Sequence, residues 1–295
     1  MINIAFASDD NYAVPATVAI TSLLVNKKED INLYFLYVKD NFSEENKKKL
    51  SLHTKKYNTV IHYVELNPNE LLDLPVLRQG LSAYLRIFTP FLIKDIDKLL
   101  YLDSDIIVER PLDELYYTDM EEYDYAGVAD LVGYCRKDYL RNIGYTFDRS
   151  YINTGVLLMN LKRLRQYDLK EIINPYVQNY KDYMIYSDQD IINCLWEKIR
   201  ILPPKYNAMT PVLYKLDESP WTSEELNMAR SKPYIIHFIT LFKPWHFGVR
   251  HKYKFRWYHY LRLTSYSRLY SVVDRKILKE LFDGYMAKLM SLVKL

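Results

Sequence analysis

Cysteine is almost missing from this 295-residue chain, which holds only Cys135 and Cys194. Two thiols build no disulfide framework, and neither stands in the Cys/His spacing of a zinc site, so free thiols in a reducing compartment are expected. Long apolar runs are missing too. No window approaches the roughly 18 uninterrupted apolar residues of a membrane span, so any membrane association is expected to be peripheral. The opening run Met1-Ile2-Asn3-Ile4-Ala5-Phe6 has no basic flank and soon reaches Asp9 and Asp10. That pattern predicts no secretory leader and a cytoplasmic chain. An excess of one charge is also absent: the formal net charge is +3, too small to predict nucleic-acid binding. Glycine is scarce, at 7 residues against 29 tyrosines, and there is no internal repeat or low-complexity tract.

What remains describes a chain that folds. Apolar residues make up 49% and charged residues 26% with both signs mixed, which excludes a disordered chain and suffices for one α/β domain with an appendage. Tyrosine joins a flat apolar body to a polar tip, as sugar stacking and membrane interfaces require, although an AT-rich genome also raises Tyr, Lys, Asn and Ile.

Ile2 to Ser8 reads as a buried strand, broken by Asp9-Asp10-Asn11 before a helix from Tyr12 to Asn26 that admits Pro15 in its first turn. Ile31 to Val38 is a second strand of the buried parallel kind. Ser43 then caps a helix with Glu44 and Glu45 in its first turn and lysines later, matching the helix dipole. Val60 to Leu66 is a third strand. Strands alternating with helices imply right-handed crossovers and a mostly parallel sheet covered on both faces, an α/β fold. Leu81 to Leu92 is an apolar helical segment carrying Arg86. Strands follow at Lys98 to Leu102, Tyr125 to Ala129, Tyr151 to Met159 and Ile235 to Phe238, and a helix runs from Asp188 to about Lys198. Residues 1–249 are expected to form the catalytic domain. Residues 250–295 carry eleven basic and three acidic residues with interleaved aromatics, then an apolar stripe through Ile277, Leu281, Phe282 and Leu289. Such an extension suits either an anionic membrane surface or packing on the main domain.

Parallel α/β sheets bind ligands beyond the carboxyl ends of their strands, so polar residues there come first. Aspartates at i and i+2 on extended chain point to one side and can share a hard cation with phosphate oxygens. Asp95-Ile96-Asp97, Asp103-Ser104-Asp105 and Asp188-Gln189-Asp190 all fit that spacing. Only Asp103-Ser104-Asp105 follows an apolar strand end, Leu99-Leu100-Tyr101-Leu102. The first pair is expected in a turn and the third at a helix N-terminus, where acidic residues are favoured anyway.

The order of motifs resembles the family 8 retaining glycosyltransferases. It runs Ala7-Ser8-Asp9-Asp10-Asn11-Tyr12, Arg86, Tyr101-Leu102-Asp103-Ser104-Asp105, Asn153-Thr154-Gly155-Val156, Asp188-Gln189-Asp190, then His237 with Lys243-Pro244-Trp245, and covers residues 1 to about 247. The resemblance implies a GT-A fold, with a single Rossmann-like, mostly parallel mixed sheet flanked by helices. It implies Mn²⁺, with Mg²⁺ as the alternative, and a UDP-hexose donor. Asp103, Asp105 and His237 would hold the metal, a donor set that suits Mn²⁺ better than oxygens alone. Ala7, Asp9 and Asn11 would meet the uridine, Ser104 the nucleotide and Lys243 the leaving diphosphate. Arg86, Asn153, Asp188 and Gln189 would surround the donor sugar, Asp188 accepting from its hydroxyls and Gln189 facing the anomeric carbon.

One departure stands out. Thr240-Leu241 occupies the place of the usual glycine and proline after the histidine, which puts the loop to Lys243 in doubt. Retention demands a double displacement or a same-face substitution. An amide is a poor nucleophile, so Gln189 favours same-face attack with the departing diphosphate taking the acceptor hydroxyl's proton. The acceptor expected is a cell-surface glycan, lipid-linked saccharide or glycoprotein. Two other readings compete: a haloacid-dehalogenase-type phosphatase, which would need its DxD after the first strand, and a non-catalytic membrane or glycan-binding module.

Overall fold

A computed structural model describes residues 1–70, 74–77, 80–214, 219–266 and 270–293. Within them the strands are β1 (Ile2–Ala7), β2 (Ile31–Val38), β3 (Ile61–Leu66), β4 (Lys98–Leu102), β5 (Ile106–Val108), β6 (Tyr125–Val128), β7 (Val156–Asn160), β8 (Ile199–Leu202), β9 (Ala208–Met209) and β10 (Ile235–His237). The main sheet has the order β3-β2-β1-β4-β7-β6-β8. Every pairing in it is parallel except those of β7, which runs against both β4 and β6. This is the mostly parallel mixed sheet that the alternation of strands and helices predicts. A smaller sheet, β5-β10-β9, is added to it. The sequence did not suggest it, because β9 is two residues long and too short to show alternation.

Alternation within the central strands sorts the core into two layers. Ile4 and Phe6 of β1 bury against the helix Ala13–Asn26. Ala5 and Ala7 face the opposite layer, with Leu85, Ile87, Ile191 and Ile192 from the helices Leu85–Leu92 and Ser187–Leu195. Since β7 is inverted, its amino end lies beside the carboxyl end of β4, with Leu102 opposite Val156. The exits of β1, β4 and β6 and the entry of β7 therefore share one edge of the sheet.

Local chemistry fixes that edge. Ser43 caps the helix Glu44–Lys55 as predicted. Asp10 accepts from the Ser43 N–H at 2.9 Å and the Asn46 amide at 2.8 Å, tying the loop after β1 to that helix. Residues 151–155 leave the strand expected there. Ile152 bridges Ala129 alone, and the buried Asn193 side chain bonds both its N–H, at 2.8 Å, and its C=O, at 2.9 Å. The helix expected from Asp188 begins at Ser187 and ends at Leu195 rather than Lys198, where the Arg149 guanidinium bonds the carbonyls of Asn193 and Trp196. Leu81 to Leu92 begins with a 3₁₀ turn before its α-helical part.

The first part of the basic extension is core material. Trp257, Tyr260 and Leu261, on the helix Lys254–Leu261, bury in the layer over the helix Ala13–Asn26. Trp257 packs against Trp245 with ring centres 5.2 Å apart and ring planes tilted by 40°. The helix Arg275–Val293 follows, burying Ile277 and leaving Phe282 exposed.

Candidate active site

Asp103 and Asp105 leave β4 at the shared edge, and β10 delivers His237 beside them through the pairing of His237 with Ile106. Ligand atoms of the three lie within 4.8 Å of one another. His237 Nε2 is 3.1 Å from Asp105 Oδ1 and 3.7 Å from Asp103 Oδ2. A Cβ on Gly155 would come within 2.2 Å of the His237 ring and 2.6 Å of Asp103 Oδ2. Only glycine lets the backbone approach so closely.

Lys243 Nζ lies 2.5 Å from Asp105 Oδ2 and also donates to the Phe238 carbonyl. Burial opposes the Asp105 charge, but the Lys243 ammonium outweighs it and holds the carboxyl well below the usual carboxylate range. Two carboxylates and an imidazole converging on one point fit a borderline divalent cation such as Mn²⁺.

Beside the cluster lies a buried network. Arg86 sits between Asp103 Oδ1, 2.8 Å from Nη2, and Asp188 Oδ2, 3.1 Å from Nε. It also donates to the Thr154 carbonyl at 2.5 Å and covers the Tyr101 ring at 4.6 Å. Burial works against the Arg86 charge, yet Asp103 and Asp188 more than offset it and raise its affinity for the proton. Asp188 is the opposite case. Burial dominates there and pushes its carboxyl up to about 6, despite the pull of Arg86 and a 2.8 Å hydrogen bond from Thr154. Gln189 accepts from Asn153 Nδ2 and from the Thr154 N–H, both at 3.2 Å, while its own amide donates to Asp130 at 3.3 Å.

These groups line a cavity of about 610 Å³, together with Ala7, Asp9 and Asn11 from the β1 exit and Ser104 from the β4 exit, a volume typical of small-molecule sites. All twelve candidate residues from the sequence line it: Ala7, Asp9, Asn11, Arg86, Asp103, Ser104, Asp105, Asn153, Asp188, Gln189, His237 and Lys243. The Ser104 hydroxyl spends its hydrogen on the Ala7 carbonyl at 3.0 Å, clamping the two strand exits together. Asp95 and Asp97 lie in a loop away from the cavity, and Asp190 is consumed by hydrogen bonds from Tyr139 and Tyr151 at 2.6 Å. The cavity also includes residues that the sequence did not single out. Asp130 follows the exit of β6, so the strand-exit rule that found Asp103 would have found it. Thr154 enters the sequence reading only within a motif. Asn207 does not line the cavity but stands behind His237, in irregular chain with no periodic signal.

The carboxylate pair follows the fourth strand rather than the first, which removes the phosphatase reading. The family description "Glycosyl transferase family 8" matches residues 3–248. General stress protein A of Bacillus subtilis (strain 168) is 28% identical over 279 residues, covering 91% of this chain and 96% of its own. A lipopolysaccharide 1,2-glucosyltransferase of Escherichia coli is 30% identical over 254 residues, covering 83% of this chain and 73% of its own. Among solved structures, galactosyltransferase LgtC in complex with donor and acceptor sugar analogs superposes with a TM-score of 0.81 at 28% identity, covering 90% of this chain and 97% of that one. The seven-stranded, mostly parallel mixed sheet thus matches the GT-A fold of that glycosyltransferase, and the chain belongs to glycosyl transferase family 8.

Proposed function

We propose that the protein moves galactose or glucose from a UDP-sugar to a hydroxyl of a cell-surface glycan, lipid-linked saccharide or glycoprotein, with retention at the anomeric carbon and dependence on Mn²⁺. One observation carries this reading: a single cavity of about 610 Å³ joins a buried, cross-bonded polar network to a carboxylate and imidazole cluster at the carboxyl edge of the sheet. Asp103, Asp105 and His237 would hold the cation, which when bound would stabilise charge on the departing diphosphate. Lys243, now on Asp105, is near enough to turn to that diphosphate. Asp9, Asn11 and Ala7 take the uridine side. Asp188 accepts from the sugar hydroxyls, and Arg86 holds Asp188 and Asp103 at a fixed separation.

In the transfer, the bond from the anomeric carbon to the diphosphate oxygen breaks, and a bond to the acceptor oxygen forms on the same face. The acceptor's proton passes to the departing diphosphate. Gln189 shields that carbon without bonding to it, because an amide oxygen is a poor nucleophile. Galactose comes first as donor, since the relative with the 0.81 structural match is a galactosyltransferase, although a glucosyltransferase is also among the relatives. One hydroxyl's orientation separates the two, and pocket shape decides it.

We assign residues 1–249 to catalysis and 250–295 to an extension whose exposed Phe255 and Phe282 and many basic residues favour an anionic membrane surface. Among the described residues no helix is long and apolar enough to cross a membrane, so this contact would be peripheral, on the inner face of the cell membrane. Loss of cosedimentation with anionic vesicles on Phe255→Ser plus Phe282→Ser would support it, and no cosedimentation by the wild type would end it. The function itself is tested by a donor screen that follows UDP release with and without Mn²⁺. UDP-galactose or UDP-glucose should be turned over only with the cation, and Asp103→Ala should lower turnover by at least about 1,000-fold. Full activity of that variant, or of wild type in excess chelator, sinks the cation assignment.

A further inference from the structure

The geometry points to Asn207 as a positioning residue that sets which nitrogen of His237 faces the Asp103–Asp105 pair, an inference that rests on the cation reading above. The argument starts from a backbone donor whose direction cannot be reversed. The Gly155 N–H lies 3.0 Å from the Asn153 side-chain oxygen. That contact fixes the Asn153 amide, whose nitrogen end then faces Asp130 at 3.0 Å and the Gln189 oxygen at 3.2 Å, both acceptors. The Asn153 oxygen has a second neighbour, the Asn207 amide at 2.8 Å, and an oxygen can only accept. Asn207 therefore presents its nitrogen to Asn153 and its oxygen to His237.

That oxygen is 2.9 Å from His237 Nδ1. An amide oxygen cannot donate, so Nδ1 must carry the proton. In the neutral ring, Nε2 is left as a lone pair, 3.1 Å from Asp105 Oδ1 and 3.7 Å from Asp103 Oδ2. Three electron-rich atoms then face one another, which a cation between them resolves. The opposite tautomer would set a lone pair against the Asn207 oxygen in a region where Asn207 is wholly buried and His237 is 2% exposed, leaving unpaired polar atoms. The backbone holds the pair in register, since Met209, two residues after Asn207, stands opposite His237 between β9 and β10. Outer partners of a metal-binding histidine tune affinity by about 10- to 100-fold.

The test uses the full chain without metal. Proton–nitrogen correlation of the histidine rings at about pH 8 reads whether Nδ1 of His237 is protonated, the signals being assigned by their loss in His237→Gln. A protonated Nδ1 is expected, and a bare Nδ1 overturns the inference without any appeal to activity. In Asn207→Leu the proton should shift to Nε2. The Mn²⁺ dissociation constant, read by electron paramagnetic resonance of free Mn²⁺, should rise about 10- to 100-fold. The Mn²⁺ needed for half-maximal turnover should rise in step, while kcat at saturating Mn²⁺ stays within about threefold of wild type. An unchanged tautomer with unchanged affinity in a folded Asn207→Leu overturns the inference. Should the wild type bind no Mn²⁺, the cation reading falls separately, and the ring spectrum still judges the tautomer.

Discussion

The two ends of the cavity are built differently. At the end proposed for the sugar, Arg86, Asn153, Asp188 and Gln189 are all buried and bonded to one another or to Thr154 and Asp130. At the β1 end, Asn11 is exposed and Asp9 half-buried, and among the described residues the Asp9 side chain accepts locally, from the Tyr12 N–H at 3.1 Å. The first end is organised before any ligand arrives, while the second faces water. Groups that stabilise developing charge gain most when prearranged in a dry site, whereas groups that only hold the substrate can remain solvated. On the proposed function, the difference would separate a part of the cavity built for chemistry from one built for holding.

The sharpest way to break that contrast is to remove the cation around which the buried end is arranged. Arg86→Met keeps the bulk of the stem but leaves Asp188 and Asp103 without their shared partner. Removing one member of a buried ion pair costs about 3 kcal/mol or more, which corresponds to a fall in Tm on the order of 6–12 °C. A loss in kcat/KM of at least about 100-fold should accompany it. If Arg86→Met melts with the wild type, the network is not the stabilising core of this end, and the contrast fails.

A smaller effect should come from pH. The Asp188 carboxyl is raised from 3.8 to about 6 in the folded protein, so the folded state holds its proton more tightly than the unfolded chain does. The stability tied to that proton is fully present below about pH 4 and is lost as pH rises through about 6, by on the order of 3 kcal/mol. Activity should run the other way. In the proposed role Asp188 would accept hydrogen bonds from the donor sugar more strongly when ionised, so kcat/KM should climb through about pH 6. Asp188→Asn should remove both the activity rise and that stability loss, read from thermal unfolding at pH 5 and pH 8. A wild-type profile flat in kcat/KM between those values would remove Asp188 from the acceptor role.

The same contrast explains what could be read from the sequence. Asp103 and Asp105 were legible because a strand exit is a local signal, an apolar run ending in carboxylates, and Ser43 was legible because a cap is written in the next few residues. The buried network was not. Thr154 and Asn207 take their meaning from partners 34 and 30 positions away, Asp188 and His237, and no periodicity encodes such a meeting. Lys243 was legible as a cation for phosphate, but its place on Asp105 depends on how the loop after β10 closes. That loop is held by the packing of Trp245 on Trp257, from the extension that composition alone left between membrane and core.

The smallest effect should come from the open end. Asn11 is exposed at the cavity rim, so Asn11→Ala removes side-chain atoms that water already solvates, and stability should stay within about 0.5 kcal/mol of wild type. A contact from Asn11 to the uridine would be the same in the bound donor and in the transition state, because the uridine takes no part in bond breaking. Losing it removes uniform binding, which raises KM and leaves kcat alone. One neutral hydrogen bond is worth about 0.5–1.5 kcal/mol, so KM for the UDP-sugar should rise about 2- to 12-fold at constant kcat. The comparison turns on that split, measured by initial rates over a range of donor concentrations at saturating Mn²⁺. If Asn11→Ala lowers kcat as much as kcat/KM, the open end is organising the transition state as well, and the division of the cavity into holding and chemistry does not stand.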